Sequence, residues 1–386
     1  MLEVKSVPNL LGTSVSYAYA VKAGPWIFLT GHEAFDFERG IPEEVAGPSG
    51  FPLFGRPRSR REGDFILRRM RRILQEFGSD LSNGVRLDQF YPTPAAVDPY
   101  HLARHAEFGD YIPPSTSVVM ERCFAVETNI STSLIAVMPE YEIHKIYPSG
   151  VGSAPSSGFV PAVVCHDFVF VAGQMAHNPG QGLDARAHVP DHSAWAGSEI
   201  RKQTEFLILE KLRPALEAAG SSLEQSLKAQ IYLARVDDFP DFVDVWNQYY
   251  ANIPCAVTLV PTKSFATVGG IIEINLVALT NTAARQKQVI AANSRHGCLW
   301  TVRQGRRVPA AFGADGDRAR RGSRWQKHLA RVCLSVTCRM HPGGCGLRIR
   351  RGAVPSCWDF NGQCASRPIF RLRLSGVSRH RDGVVG

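Results

Sequence analysis

His32 follows Gly31 at the end of the apolar run Trp26-Ile27-Phe28-Leu29-Thr30 and stands next to Glu33. Imidazole titrates near neutrality, so at a cleft edge His32 could act as a base or orient a water. The plainer reading is a polar residue closing a strand end. Arg122, after Glu121, could clamp an anion or simply form a surface ion pair. Cys123 and Cys255 sit in strand-like apolar surroundings and read as small buried hydrophobes. A nucleophilic role for Cys255 would need a base that the sequence does not identify. Arg68, Arg69, Arg71 and Arg72 read as the solvated face of a helix, because its apolar residues occupy the other face. Cys333, Cys338, His341 and Cys345 lie close enough to suggest zinc, yet their spacing matches no paired C-x2-C module. No metal or other cofactor is expected.

The elements that must position these groups occur twice. Trp26–Gly31 matches Phe168–Gly173 at an offset of 142, and Gly78-Ser79-Asp80-Leu81 matches Gly220-Ser221-Ser222-Leu223 at the same offset. Ile112-Pro113-Pro114 matches Ile253-Pro254-Cys255 at 141, and Ser131–Ala136 matches Glu273–Ala278 at 142. A near-constant offset over four landmarks points to a duplicated module. Each copy reads as a β-hairpin, a long amphipathic helix, a strand, a second helix and two closing strands. Ile66, Met70, Ile73, Leu74 and Phe77 mark one face of the first long helix. In the second copy Ile200, Ile208, Leu212, Leu216 and Ala219 do the same, with a kink expected at Pro214. Strands are expected over 85–91, 117–126 and 132–138, and over 227–233, 256–261 and 271–279. This order predicts an α+β fold in which each sheet carries two helices on one face. The expected boundaries are a module over 1–140, a linker over 141–157 punctuated by Pro148-Ser149-Gly150 and Pro155-Ser156-Ser157-Gly158, a second module over 158–281, and a tail over 282–386.

The second copy resembles the RidA (YjgF/L-PSP) family. The residues that carry the resemblance are Val171-Ala172-Gly173-Gln174, Glu217-Ala218-Ala219-Gly220, Ala229–Val236, Asp237-Asp238-Phe239, Trp246-Asn247-Gln248-Tyr249-Tyr250, Ile253-Pro254 and Ile272–Ala278. The first copy joins it through the offset, so the likeness spans about residues 7–281. The resemblance implies two tandem chorismate-mutase-like modules, ring assembly in threes, and sites in the clefts between modules. It also implies hydrolysis of reactive enamines and imines, such as 2-aminoacrylate, to a keto acid and ammonia. An arginine there clamps the substrate carboxylate, and a carboxylate or backbone group positions the water. Carried onto this chain, the arginine position falls at Ser115 and Ala256, and the acid position at Ser133 and Asn275. The early aromatic falls at Tyr17 and Phe159, and the step after the hairpin at Gly31-His32 and Gly173-Gln174. Tyr17 could donate a hydrogen bond to a ligand and Phe159 could not; two equivalent core-edge aromatics are the plainer reading. Neither copy keeps both the arginine and the acid. Two readings stay open: a divergent enamine or imine deaminase with His32 and Tyr17 in catalytic roles, and a non-catalytic module that binds a small metabolite.

Charge separates the tail from the rest. Residues 282–386 hold 21 Lys+Arg against four acids, a net +17, whereas residues 1–281 carry a net −8. The basic total therefore says nothing about the modules, and nucleic acid is expected, if anywhere, only at the tail. An irregular tail, disordered or translated in a shifted reading frame, fits its Arg- and Cys-rich composition without Glu. At 44% hydrophobic residues the chain can bury a core. No apolar stretch is long enough for a membrane span, and the start, MLEVKSVPNLL, lacks a signal-peptide core. A cytoplasmic location is expected. Two modules per chain cannot close a ring of three, so the expected assembly is a homotrimer of two stacked rings, with a sheet-to-sheet monomer or dimer as the alternative.

Overall fold

The structure, a computed structural model, describes residues 2–7, 17–36, 39–48, 55–153, 156–190, 197–265, 267–289, 336–341 and 344–349. The chain divides into two units, Met1–Ala291 and Ala292–Gly386. In the second unit the described residues form one antiparallel hairpin, Val336–His341 with Gly344–Ile349. Of the residues read above as a zinc candidate, Cys333 lies outside the described residues.

In the first unit one sheet contains β1 (Leu2–Val7), β2 (Tyr17–Ala23), β3 (Trp26–Leu29), β4 (His32–Glu33), β5 (Gly84–Tyr91), β6 (Ser115–Val119) and β7 (Ser131–Val137), in the order β1-β2-β3-β7-β5-β6 with β4 on β7. A second sheet contains β8 (Ile143–Ile146), β9 (Ala162–Cys165), β10 (Phe168–Gln174), β13 (Ser226–Leu233), β14 (Ala256–Pro261) and β16 (Ile272–Leu279), in the order β8-β9-β10-β16-β13-β14, while β11 (His177–Asn178) and β12 (Gly182–Leu183) pair with each other. The two orders correspond strand for strand. Pairing agrees as well: Leu87 faces Leu134 and Ala229 faces Leu276, both members displaced by 142. A bulge falls at Gly84/Arg86 in one sheet and at Ser226/Lys228 in the other. Ser79 Oγ donates to the Val137 carbonyl, and Ser221 Oγ to that of Leu279, again 142 residues on.

Helices cover one face of each sheet. In the first, after the short α1 (Glu43–Ala46), α2 (Arg58–Glu76) buries Ile66, Met70, Ile73 and Leu74 against the sheet, on the face read from their spacing. It crosses α3 (Val97–Phe108) closely at Gly63, where a Cβ would lie 2.7 Å from that of Ala103. In the second, α4 (Glu199–Phe206) passes through a π-helical turn, Leu207–Leu212, into α5 (Arg213–Ala218), and α6 (Phe239–Tyr250) packs on α4. The π turn takes up the disruption expected at Pro214. Its wide i→i−5 pattern, with the Arg213 amide on the Ile208 carbonyl, absorbs the donor that proline lacks.

The uncovered faces pack on each other. Trp26, Val85, Ile135 and Val137 of the first sheet meet Val163, Cys165, Phe168, Phe170 and Val277 of the second. Module one thus faces module two of the same chain through these sheet faces. The contact is also a ladder: β15 (Ser264–Phe265), from the second module, pairs with Val118 and Val119 at the edge of β6.

One sequence expectation needs correction. The strand expected over 117–126 ends at Val119. Beyond it the Glu33 carboxylate accepts from the amides of Phe124 and Ala125 and from Thr128 Oγ1, and Glu62 accepts from Asn129. These carboxylates satisfy the donors that a continued strand would have left for a neighbour. Within residues 141–157, β8 adds to β9.

Candidate functional site

A cavity of about 310 Å³ opens where the two modules meet. From the first module it is lined by His101 on α3 and by Ser115 and Ser117 on β6; Ser156 and Ser157, before the second module's hairpin, also reach it. From the second module come Phe159, Gly173 and Gln174 beside β10, and Glu273 on β16.

Glu273 is the chemically distinctive group. It is buried, and burial raises its carboxyl to about 8, against the Ser117 amide that hydrogen-bonds it; nearby Asp88 raises it further and Arg86 lowers it. Near neutral pH it is therefore largely a neutral acid able to give a proton. It packs onto Gly173: a Cβ on that residue would lie 1.9 Å from Glu273 Oε1. Two residues on, Asn275 shares the strand face and donates through Nδ2 to Thr116 Oγ1 at 2.9 Å, bonding one module to the other. Glu273 is thus a carboxyl lining this cavity, and Asn275, at the position named by resemblance, bonds one module to the other.

A second cluster backs the cavity. Arg104 is fully buried one helical turn after His101. Its Nη1 donates to Gln89 Oε1 at 3.0 Å and to Ser115 Oγ at 3.2 Å, and its Nη2 to the Ser157 carbonyl and to Ser157 Oγ at 3.0 Å. His101 has no hydrogen-bond partner on either ring nitrogen among the described residues, and burial, with Arg104 and His105, depresses its pKa to about 2.

The ten residues named from sequence divide into groups. Ser115, Phe159, Gly173 and Gln174 meet at the cavity, and Asn275 adjoins it through Thr116. His32, Gly31 and Ser133 lie in the first sheet away from the lining, and Ala256 is exposed at the start of β14. Tyr17 opens β2 opposite Val7. His32 is buried against Tyr19, with ring centroids 5.8 Å apart. Burial first, then Arg69, lowers its pKa to about 4, so it is neutral at pH 7. The thiols are also quiet: burial raises Cys123 to about 12, and Cys165 and Cys255 to about 11. Arg68 pairs with Glu44, Arg69 caps carbonyls of Glu33 and Phe35, and Arg71 pairs with Glu107, which accounts for three of the four clustered arginines. Arg122 is exposed and outside the lining.

Sequence reading missed Glu273, Arg104 and His101. Val97, Tyr100, His101, Arg104 and Phe108 fall on one helical face, so the spacing carried a signal for the last two.

The second module is similar in sequence to known proteins. The family described as Endoribonuclease L-PSP matches residues 151–280. Protein mmf2, mitochondrial, of Schizosaccharomyces pombe is 32% identical over 119 residues, covering 30% of this chain and 83% of that protein. A RutC family protein of Saccharolobus solfataricus is 28% identical over 125 residues, covering 32% of this chain and 88% of the other. A putative endoribonuclease from Thermotoga maritima is similar in structure over 36% of this chain and 97% of its own, with a TM-score of 0.30 and 25% identity. The chain belongs to the RidA (YjgF/L-PSP) family. No helix among the described residues is long and apolar enough to cross a membrane.

Proposed function

We propose that the inter-module cavity hydrolyses a small imine or enamine to a carbonyl compound and ammonia, and that Glu273 moves the protons. The observation that carries this reading is a buried carboxyl, raised to about 8, on the wall of a small cavity. Protonated Glu273 gives its proton to the imine nitrogen, or to the enamine β-carbon, leaving an iminium carbon open to water. The resulting carboxylate takes a proton from that water as its oxygen bonds to carbon. The same proton then goes to the amine nitrogen, and the C–N bond breaks as the carbinol hydroxyl gives its proton to the Glu273 carboxylate, leaving the carbonyl compound, ammonia and the protonated acid. An imine needs little activation, so orientation and one well-tuned acid supply most of what the reaction requires.

The matching strand order, register and Ser79/Ser221 bonds support descent of both modules from one duplicated unit. On this reading the modules are 1–140 and 158–281, joined through 141–157, and the protein works as a cytoplasmic homotrimer on a small-molecule ligand. Light scattering on the full chain tests the assembly: three times the chain mass supports it, and the mass of one chain refutes it.

Ammonia release from freshly generated imino acids tests the activity. The full chain should turn these over, and Glu273→Gln should reduce the rate by about 10²–10⁴-fold, the range of general acid catalysis. Ligand binding without ammonia release in the wild type would instead favour a non-catalytic binding module.

A further inference from the structure

Arg104 is a buried cation with no carboxylate bonded to it among the described residues. Its partners are Gln89, Ser115 and Ser157, and the ionisable groups that act on it are Tyr91 and Tyr100, both neutral at pH 7. Its Nε also lacks a partner. A guanidinium out of water and without a counter-ion is unfavourable unless something negative is meant to stand near it.

The geometry says where. Guanidinium only donates, so Ser115 Oγ and Ser157 Oγ each accept from Arg104 and keep their own protons. Both serines line the cavity, and neither hydroxyl donates to another described residue. Two O–H donors, each polarised from behind by one positive charge, therefore face the space where a ligand would lie. The other ionisable groups on that wall do not cancel the charge, since His101 is neutral and Glu273 is largely protonated near pH 7.

We propose that Arg104 is a positioning residue that gives the cavity its preference for small oxyanions, acting through Ser115 and Ser157 instead of touching the ligand. The proposal rests on the reading of this cavity as the substrate site and adds a specificity. A guanidinium fork in direct contact fits a planar carboxylate in bidentate fashion. Two hydroxyls rotate to suit their acceptor and set no such plane. The site therefore selects by charge and tolerates shape: a tetrahedral sulfonate binds about as well as a planar carboxylate of the same length.

Isothermal titration of the full chain with propanoate, ethanesulfonate and propanamide, in chloride-free buffer at pH 7, tests this. The two anions should bind within about threefold of each other and at least about tenfold more tightly than the amide, as expected for hydrogen bonds to a charged group. Ser115→Ala and Ser157→Ala should each weaken both anions about tenfold and leave the amide nearly unchanged. Arg104→Met should abolish the preference; if it fails to fold, the serine variants still decide. Equal binding of amide and anions, no measurable anion binding, or serine variants that bind anions like the wild type would overturn the proposal. The preference is independent of turnover. A wild type that binds the anions selectively but releases no ammonia defeats the deaminase reading and leaves this one standing; turnover without anion preference does the reverse.

Discussion

The Glu273 carboxylate lies against the bare Cα of Gly173, so closely that a Cβ there would come within 1.9 Å of Oε1 and 2.9 Å of Thr116 Oγ1. The two residues come from neighbouring strands, and Thr116 from the other module, so this glycine lets three chain segments meet at the cavity. Gly173→Ala forces the buried carboxyl aside, and overpacking of this kind costs about 1–3 kcal/mol. Chemical denaturation should show that loss. Glu273→Ala in the same chain removes the clash, so the double variant should be more stable than the sum of the single changes predicts. Additive losses would mean that the two residues do not press on each other.

Turnover should depend on Glu273 as an acid. With its carboxyl at about 8, the log of kcat/KM should hold below that pH and fall above it. Asp88 raises Glu273 and Arg86 lowers it. Asp88→Asn removes the repelling charge, and the descending limb should move to lower pH. A limb that stays put in that variant would assign the titration to another group.

How far this was readable beforehand depends on what each pattern constrains. Burial of Ile66, Met70, Ile73 and Leu74 followed from apolar spacing, because only one helical face can meet a sheet. Strand alternation fixed the face of β16 but not the position along it. Glu273 and Asn275 are two apart and share that face, so alternation alone does not say which of them lines the cavity and which bonds the other module. Arg104 was hidden for a different reason. It occupies a core position of α3, and a search for apolar residues passes over a cation held by two serines and a glutamine on other elements. The end of β6 depended on Glu33 and Glu62, whose partners lie 67 to 95 residues away and leave no local trace.

His32 should show itself in stability, not in catalysis. Its folded pKa, about 4, lies below the unfolded value of 6.5, so the unfolded chain binds more protons between those limits. Its contribution is complete above pH 6.5 and is lost as pH falls toward 4. His32→Gln cannot take up that proton. The variant should therefore lose less stability than the wild type between pH 6.5 and 4.5 in denaturant titrations. Parallel curves over this window would place the imidazole in contact with solvent.

Glu33 pins the loop after β6, accepting from the Phe124 amide at 2.9 Å, the Ala125 amide at 2.8 Å and Thr128 Oγ1 at 2.9 Å. Glu33→Ala leaves these donors unmet and should cost about 1–3 kcal/mol. Amide exchange at Phe124 and Ala125 should accelerate more than exchange in β5. Unchanged protection at both amides would contradict the role.

The first unit should stand without the second. Its core clusters lie within Met1–Ala291, and its last described anchors are Arg285, which bonds Asp167 at 2.6 Å, and Lys287, which donates to the Glu224 carbonyl at 2.9 Å. A chain cut after residue 291 keeps both anchors and should melt cooperatively at the temperature of the full chain. A cut after Asn281 removes them. The Arg285 pair is largely exposed, and such pairs contribute about 0–1 kcal/mol. The shorter chain should therefore melt only a few degrees lower, since a loss of about 1 kcal/mol lowers Tm by about 2–4 °C in a domain of this size. Calorimetry on the two fragments separates the alternatives: loss of a cooperative transition in the longer one would mean that residues beyond 291 complete the fold.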